Sequence, residues 1–235
     1  MLLLAAAVAP SAALLYYFYT RDKYEKEPRK MLVKAFLIGG GLVVPVLFIE
    51  LSLNIFDIAE ANLLAAGYTA FVVAGLVEES SKFLFFFLCI WKHRDFNEMY
   101  DGIVYSVFIS LGFATVENLA YVLSTGFSTA VVRSLTAVPA HALFAVVMGY
   151  YLGIARFAKP RYRRKYIILG LIIPVLLHGI YDFILLSQKL YLLALFIPYM
   201  LYLWKRSLRH VDELVESSQF KDMPEEYADD SEGRV

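Results

Sequence analysis

Acidic and histidine side chains lie within long apolar stretches of this sequence. Glu78, Glu79 and Lys82 share one stretch, and His178 lies four residues before Asp182 in another. Residues three or four apart meet on the same face of a helix. A charge at the centre of a membrane-spanning helix costs about 2.5–3.5 kcal/mol on insertion scales, so each of these groups needs a partner or a water-filled cavity. These residues are therefore the first candidates for function.

The two adjacent glutamates suggest a division of roles. Glu78 is four residues and Glu79 three residues from Lys82, so either carboxylate can reach the lysine. Two buried like charges oppose each other's ionisation. We therefore expect one carboxylate to pair with Lys82 and the other to act as a base. A plain buried salt bridge would use the same residues.

Glu117 and His141 extend the set to two further apolar stretches. Glu117 has no basic residue within one helical turn, so its partner must come from another helix, a metal ion or a proton. Two histidines and a carboxylate are the ligands of hydrolytic zinc sites. A glutamate base with a histidine that stabilises an oxyanion could also activate water without a metal. Any metal ligands would lie on three or four helices, unlike those of a His-Glu-x-x-His helix.

The composition is that of a membrane protein. Hydrophobic residues make up 60% of the 235 residues and charged residues 19%, against about 45–50% and about 25% in soluble domains. The 22 basic and 22 acidic residues balance, so no excess charge points to a nucleic-acid partner. The single cysteine, Cys89, cannot form an internal disulfide.

The apolar segments predict an all-α bundle of about seven transmembrane helices, because a span needs about 20 mostly apolar residues. The first segment is followed by a charged stretch from Arg21 to Lys30, so we expect a retained anchor and not a signal peptide. The predicted spans are approximately 2–19, 31–53, 62–90, 103–124, 134–156, 167–187 and 190–204.

Basic residues predict the orientation of these spans. Three loops and the C-terminal tail hold 18 of the 22 Lys and Arg residues, whereas the opposite loops hold Arg133 and Lys189. The positive-inside rule therefore places the N-terminus outside and the C-terminus in the cytoplasm. The residues that this orientation puts in the middle to outer half of the membrane are Glu117, His141, His178 and Asp182.

Two further patterns concern packing and domain organisation. Ala145, Gly149 and Gly153 repeat at four-residue intervals, a spacing that lets helices approach closely. From residue 211 onward, nine acidic residues stand against Lys221 and Arg234. We therefore divide the chain into a transmembrane domain, residues 1–205, and an acidic cytoplasmic tail, residues 206–235. We expect this tail to be disordered, because it has too little apolar surface to fold alone.

The polar residues and their neighbours resemble the PrsW family of bacterial intramembrane proteases, over about residues 9 to 205. Four motifs on successive spans carry the resemblance: Glu78-Glu79-x-x-Lys82, Phe113-x-x-x-Glu117, His141 and His178-x-x-x-Asp182. Further similar stretches are Asp22 to Pro28 with its Glu27-Pro28 end, Tyr100-Asp101-Gly102-Ile-Val-Tyr105, Leu111 to Asn118 and His178 to Phe183.

The resemblance implies a multi-pass protease of the bacterial cytoplasmic membrane. Such an enzyme makes the first, site-1, cut in a single-span anti-sigma factor on the outer side of the membrane. A second protease then continues, and the released sigma factor starts an envelope-stress response. The implied partners are this protein substrate and the lipid bilayer, with no nucleic acid.

The resemblance also implies roles for individual residues. Glu78 or Glu79 would be the general base, and Lys82 would hold the other carboxylate. His178, oriented by Asp182, would stabilise the oxyanion or bind a metal. Glu117 and His141 would complete the catalytic set, supported by Asn118 and Tyr181. The candidate zinc ligands are Glu117, His141 and His178.

The more distantly related CAAX prenyl endopeptidases have a histidine where this chain has Glu117 and an asparagine where it has Asp182, so roles are not carried over at those two positions. Zinc and a metal-free glutamate mechanism both fit the residues.

Two other function classes use buried polar groups. A proton- or metal-coupled transporter could use the same carboxylates and histidines as ion sites, but carriers often contain inverted repeats with broken helices, and the motifs here lie on four non-equivalent spans. A non-catalytic receptor or scaffold would leave the deep carboxylates unexplained.

Overall fold

The computed structural model describes residues 2–55 and 62–222, and this part of the chain is helical with no strand. The prediction of an all-α protein is confirmed. The helices are α1 (Leu2–Arg21), α2 (Arg29–Leu53), α3 (residues 63–89), α4 (Asp101–Thr125), α5 (Phe127–Leu135), α6 (Ala137–Phe157), α7 (Pro160–Leu186), α8 (Leu190–Leu193) and α9 (Phe196–Glu216). Helix α3 joins Leu63–Tyr68, a π-helical stretch Thr69–Leu76 and Val77–Cys89.

Four helical runs in the described residues are long and apolar enough to cross a membrane: Arg29–Leu53, Asp101–Thr125, Phe127–Phe157 and Pro160–Leu186. They coincide with four of the seven predicted spans. The predicted spans at 2–19 and 62–90 correspond to α1 and α3, and the one at 190–204 is divided between α8 and the first half of α9.

Helix α9 extends past the domain boundary predicted at residue 205. Its buried residues recur every three or four positions and include Leu203, Val211 and Leu214, so one face of the helix packs on the protein up to Glu216. Residues 206–216 are thus a packed helix in place of the predicted disordered segment. The sequence signal for this helix is the periodic spacing of its apolar residues and not their number, so the acidic composition of the segment conceals it. The remainder of the predicted tail, from residue 223, lies outside the described residues.

Helix α4 is the centre of the bundle. Its first fifteen residues, from Asp101 to Thr115, are all buried. It packs against α2 on one side and α6 on the other, while α6 packs on α7 and α7 on the π-helical part of α3. The helices that carry the polar residues of interest, α3, α4, α6 and α7, are therefore brought together through successive contacts.

Glycines set the distances between these helices. A Cβ atom on Gly149 would lie 2.2 Å from the carbonyl oxygen of Gly102, and one on Gly153 would lie 2.1 Å from that of Met99. The predicted role of the small-residue stripe in close packing is confirmed. Gly179 is packed against Phe71 of α3, whose ring would lie 2.2 Å from an added Cβ. This contact fixes α7 beside α3 at the position of His178.

We expect Gly149→Ala to destabilise the protein by about 1–3 kcal/mol, because the added methyl group would strike backbone that cannot move independently of its helix. Gly41→Ala is the matched control, since a Cβ added there would meet no atom of another helix within 4 Å among the described residues. Thermal unfolding in detergent measures both. Equal midpoints for the two variants would contradict this account of the α4–α6 contact.

Candidate active site

The Lys82 ammonium group lies at the centre of the polar cluster. Its Nζ is 3.0 Å from Glu78 Oε2, 2.8 Å from Glu79 Oε1 and 3.2 Å from His141 Nδ1, and all four residues are buried. The expectation that one glutamate alone would pair with the lysine is wrong. An ammonium group has three donors, and the spacings of three and four residues let both carboxylates reach it from the same helix.

The two histidines are each held at both ring nitrogens. His178 Nδ1 is 3.0 Å from Glu79 Oε1, and its Nε2 is 3.4 Å from Asp182 Oδ2, as the four-residue spacing on α7 predicts. His141 Nε2 is 3.1 Å from Glu117 Oε2. Because Lys82 offers protons only, His141 Nδ1 accepts one, and its Nε2–H then donates to the glutamate.

Glu117 receives its basic partner from another helix, one of the three alternatives left open by the sequence. Arg133 of α5 donates from a terminal guanidinium nitrogen to Glu117 Oε2 at 2.7 Å and from Nε to Asn118 Oδ1 at 3.0 Å. Asn118 in turn donates to the carbonyl oxygen of Ala7 on α1 at 2.8 Å. Asn118 thus ties α1, α4 and α5 together beside the cluster. The charge count gave Arg133 only as a loop residue.

A cavity of about 460 Å³ opens onto the cluster. Glu78, Glu117, His141, His178, Tyr181 and Asp182 all line it, whereas Glu79 and Lys82 do not. The cavity therefore distinguishes the two adjacent glutamates: Glu78 faces the open space, and Glu79 is fully buried behind it between Lys82 and His178.

Glu50 is a cavity-lining residue that the sequence reasoning missed. It comes from α2, and its Oε1 has no hydrogen-bond partner among the described residues. The sequence does contain a sign of this residue, because Glu50 is the one acidic residue in the 25 residues of α2. A carboxylate within an apolar span needs a partner or a water-filled cavity, as Glu117 does.

Four residues offer ligand atoms that lie within 4.8 Å of one another: Glu78, Glu79, His141 and His178. This group differs from the predicted trio, since Glu117 lies on the far side of the His141 ring. Two imidazoles and carboxylates are a zinc-type donor set, and an outer carboxylate holds the second nitrogen of each ring. The Lys82 ammonium group already contacts Glu78, Glu79 and His141, so an ion bound by these atoms would displace it. Glu79 Oε2 is also buried without a partner.

Replacing Lys82 should test its importance for the fold. We expect Lys82→Met to lower the free energy of unfolding by about 3–5 kcal/mol, because two buried carboxylates lose their cation. Lys34→Met is the matched control, since Lys34 is exposed on α2. Thermal unfolding in detergent compares the two, and Glu79→Gln should restore part of the loss in Lys82→Met. Similar midpoints for Lys82→Met and Lys34→Met would contradict this assignment.

Comparison with known proteins identifies the family. A family model described as "PrsW family intramembrane metalloprotease" matches residues 27–204. Protease PrsW of Geobacillus kaustophilus is 44% identical over 213 residues, covering 90% of this chain and 91% of the relative. Protease PrsW of Bacillus subtilis is 42% identical over 209 residues, covering 88% and 93%. Protease PrsW of Clostridioides difficile is 38% identical over 220 residues, covering 91% of each.

No solved structure matches the chain. The family model spans most of the sequence, and the relatives match nearly their whole length. The chain therefore belongs to the PrsW family of intramembrane metalloproteases and is a membrane peptidase.

Proposed function

We propose that the cluster is the active site and that it makes the first cut in a single-span anti-sigma factor, on the outer side of the bacterial cytoplasmic membrane. The observation that carries this proposal is the cavity, which brings a carboxylate and two histidines of α3, α6 and α7 to one open space. Hydrolysis of a peptide bond needs a base, an activated water and donors for the oxyanion, and this set can supply all three.

Glu78 is the general base in this proposal. It faces the cavity, where a water molecule and the scissile bond have room, while its Oε2 is fixed by Lys82. Glu79 acts as a positioning residue, since it is fully buried and holds both Lys82 and His178. This assignment follows exposure to the cavity, which favours Glu78 over Glu79 as the base.

The net charge of the cluster supports a divalent cation. When ionised, the carboxylates of the cluster and the cavity wall, those of Glu50, Glu78, Glu79, Glu117 and Asp182, carry five negative charges. Lys82 and Arg133 return two positive charges. A divalent ion with one proton, or three protons, would balance the remainder. When bound, zinc would lower the pKa of a water molecule towards neutrality and polarise the carbonyl group. His141, His178 and a glutamate would hold the zinc ion. The Nε2 atoms of the two histidines contact Glu117 and Asp182, and these contacts orient the imidazole rings.

The depth of the cluster supports a cut in the outer half of the membrane. Glu117 is sixteen residues beyond Asp101 at the start of α4, or about 24 Å along the helix. His141 is equally far from Phe157 at the opposite end of α6. Helices α1, α3 and the α8–α9 segment, added to the four apolar runs, complete seven spans with the N-terminus outside. Asp101 and Phe157 then lie on the cytoplasmic side of a hydrocarbon core about 30 Å thick.

The rim of the cavity favours a substrate that enters from the bilayer. Leu47 and Leu51 line the cavity, and their side chains on α2 are also exposed on the protein's outer surface. An apolar rim can contact a spanning segment of another protein without desolvating polar groups. A membrane-anchored anti-sigma factor has such a segment.

The direct test is to co-express this protein with a candidate single-span anti-sigma factor and follow the substrate by immunoblot. We expect Glu78→Gln to reduce cleavage by about 10²–10⁴-fold, the usual contribution of a general base. Asp95→Asn is the control, because Asp95 pairs with Arg94 in the loop between α3 and α4. Comparable cleavage by wild type and Glu78→Gln, at equal membrane levels, would overturn the proposed base.

The proposed zinc ligation has its own test. After dialysis of the purified protein against a chelator, activity should disappear and return with added zinc. Asp182→Asn should raise the zinc concentration needed for half-maximal recovery by about 10–100-fold, because Asp182 orients His178. Elemental analysis must confirm that the metal has been removed. Full activity in metal-free wild type would favour the glutamate mechanism without metal.

A further inference from the structure

A second group of acidic residues lies away from the catalytic cluster, where the link between α1 and α2 meets the start of α4. Glu25, Glu27 and Asp101 each offer a carboxylate oxygen, and these oxygens lie within 4.8 Å of one another. Glu27 and Asp101 belong to two stretches of the family resemblance, Glu27-Pro28 and Tyr100-Asp101-Gly102, that the proposed catalysis does not use.

Each of the two most buried acids has one oxygen held by neutral donors. Tyr105 donates its hydroxyl to Glu27 Oε2. Asp101 Oδ2 accepts from the backbone N–H groups of Asn97 at 2.8 Å and Glu98 at 2.7 Å. These bonds fix the orientation of both carboxylates in the way that outer contacts fix the ligands of a metal ion.

The other oxygen of each acid has no protein donor. Glu27 is 2% exposed and Asp101 is 0% exposed, and both Glu27 Oε1 and Asp101 Oδ1 lack a hydrogen-bond partner among the described residues. An unsatisfied buried oxygen costs about 1–3 kcal/mol, and more when it is charged. Two such atoms on acids that share one cluster call for either a cation or a proton held between them.

Neighbouring buried acids also need either protons or a cation. Asp22 is fully buried, and both of its carboxylate oxygens lack a partner among the described residues. Burial and the charges of Glu98 and Glu25 raise the pKa of Asp22 to about 8. Burial also raises the pKa of Glu98 to about 7. The ammonium group of Lys26 donates to the carbonyl oxygens of Tyr19 and Asp22, and its charge offsets only part of the rise in the pKa of Asp22.

We propose that Glu25, Glu27 and Asp101 bind a hard divalent cation of the Mg²⁺, Mn²⁺ or Ca²⁺ class. Carboxylate oxygens suit these ions, and water molecules complete their coordination. The set has no imidazole or thiolate ligand, which distinguishes it from the catalytic cluster. The ion would join the α1–α2 link to the first turn of α4 and thereby hold the central helix of the bundle in place. The competing occupant is a proton shared between the carboxyl groups.

Thermal unfolding of the full-length, chelator-treated protein in detergent tests this site. MgCl₂, MnCl₂ or CaCl₂ at a hundredfold excess over the dissociation constant should raise the midpoint by roughly 5–10 °C. Glu27→Gln and Asp101→Asn should lose this rise. Asp101→Asn keeps an oxygen that can accept from the two backbone N–H groups, so it removes charge with little change of shape. Potassium chloride at equal ionic strength controls for screening.

Two matched variants separate the site from its surroundings. Glu98→Gln neutralises a neighbouring buried acid outside the ligand set, and His178→Ala removes a histidine of the catalytic cluster. Both should keep the rise in midpoint. Equilibrium dialysis with MnCl₂ should also find one ion fewer in the double variant His178→Ala, Asp101→Asn than in His178→Ala, in which the catalytic cluster has already lost a ligand.

Two results would overturn the proposal. In the first, none of the three cations stabilises the wild-type protein or binds in dialysis, and a shared proton then occupies the cluster. In the second, Glu27→Gln and Asp101→Asn leave the rise in midpoint and the number of bound Mn²⁺ ions unchanged in the His178→Ala background. Because wild type alone can give the first result, the test stands even if a variant fails to fold.

Discussion

The buried ammonium group of Lys82 is the interaction on which the catalytic cluster depends. It is the shared donor for Glu78, Glu79 and the Nδ1 atom of His141, and it is fully buried. Without it, two adjacent carboxylates would face each other in a medium of low dielectric constant. Pairing both glutamates with one cation lets their roles diverge, since Glu78 faces the cavity while Glu79 remains behind it with His178.

Close helix packing gives this electrostatic arrangement its geometry. Glycines let α4 approach α6, and α3 approach α7, very closely. A methyl group added at one of these glycines would overlap the backbone or an aromatic ring of the neighbouring helix. The histidines of α6 and α7 consequently lie with ring centres 5.2 Å apart. The π-helical stretch before Glu78 changes the rotation of α3 relative to a regular helix, and such stretches often occur at functional sites.

Local spacing was sufficient to predict contacts within a helix. The pairs of Lys82 with its two glutamates and of His178 with Asp182 follow from separations of three and four residues. Contacts between helices could not be obtained in this way. His141 meets Lys82 across 59 positions of sequence, and no local pattern encodes that distance.

Residues judged by composition were the most difficult to place. Arg133 lies in a predicted loop, yet it holds Glu117 from an adjoining helix. Glu50 lies within an apolar span and lines the cavity, and the amphipathic end of α9 has the acidic composition of a tail. In each case a single charged residue or a three-to-four-residue period mattered more than the average character of the segment. Contacts between helices determine where these residues lie.

Membrane-embedded proteolysis at this cluster is the central claim, and reconstitution tests it most directly. Purified wild-type protein and a purified single-span substrate would be combined in liposomes with zinc, and the fragments identified by mass spectrometry. The account predicts a single cut in the outer half of the substrate's spanning segment or just outside it, and none with Glu78→Gln of equal thermal stability. An uncut substrate with wild type, or the same cut with Glu78→Gln, would contradict it.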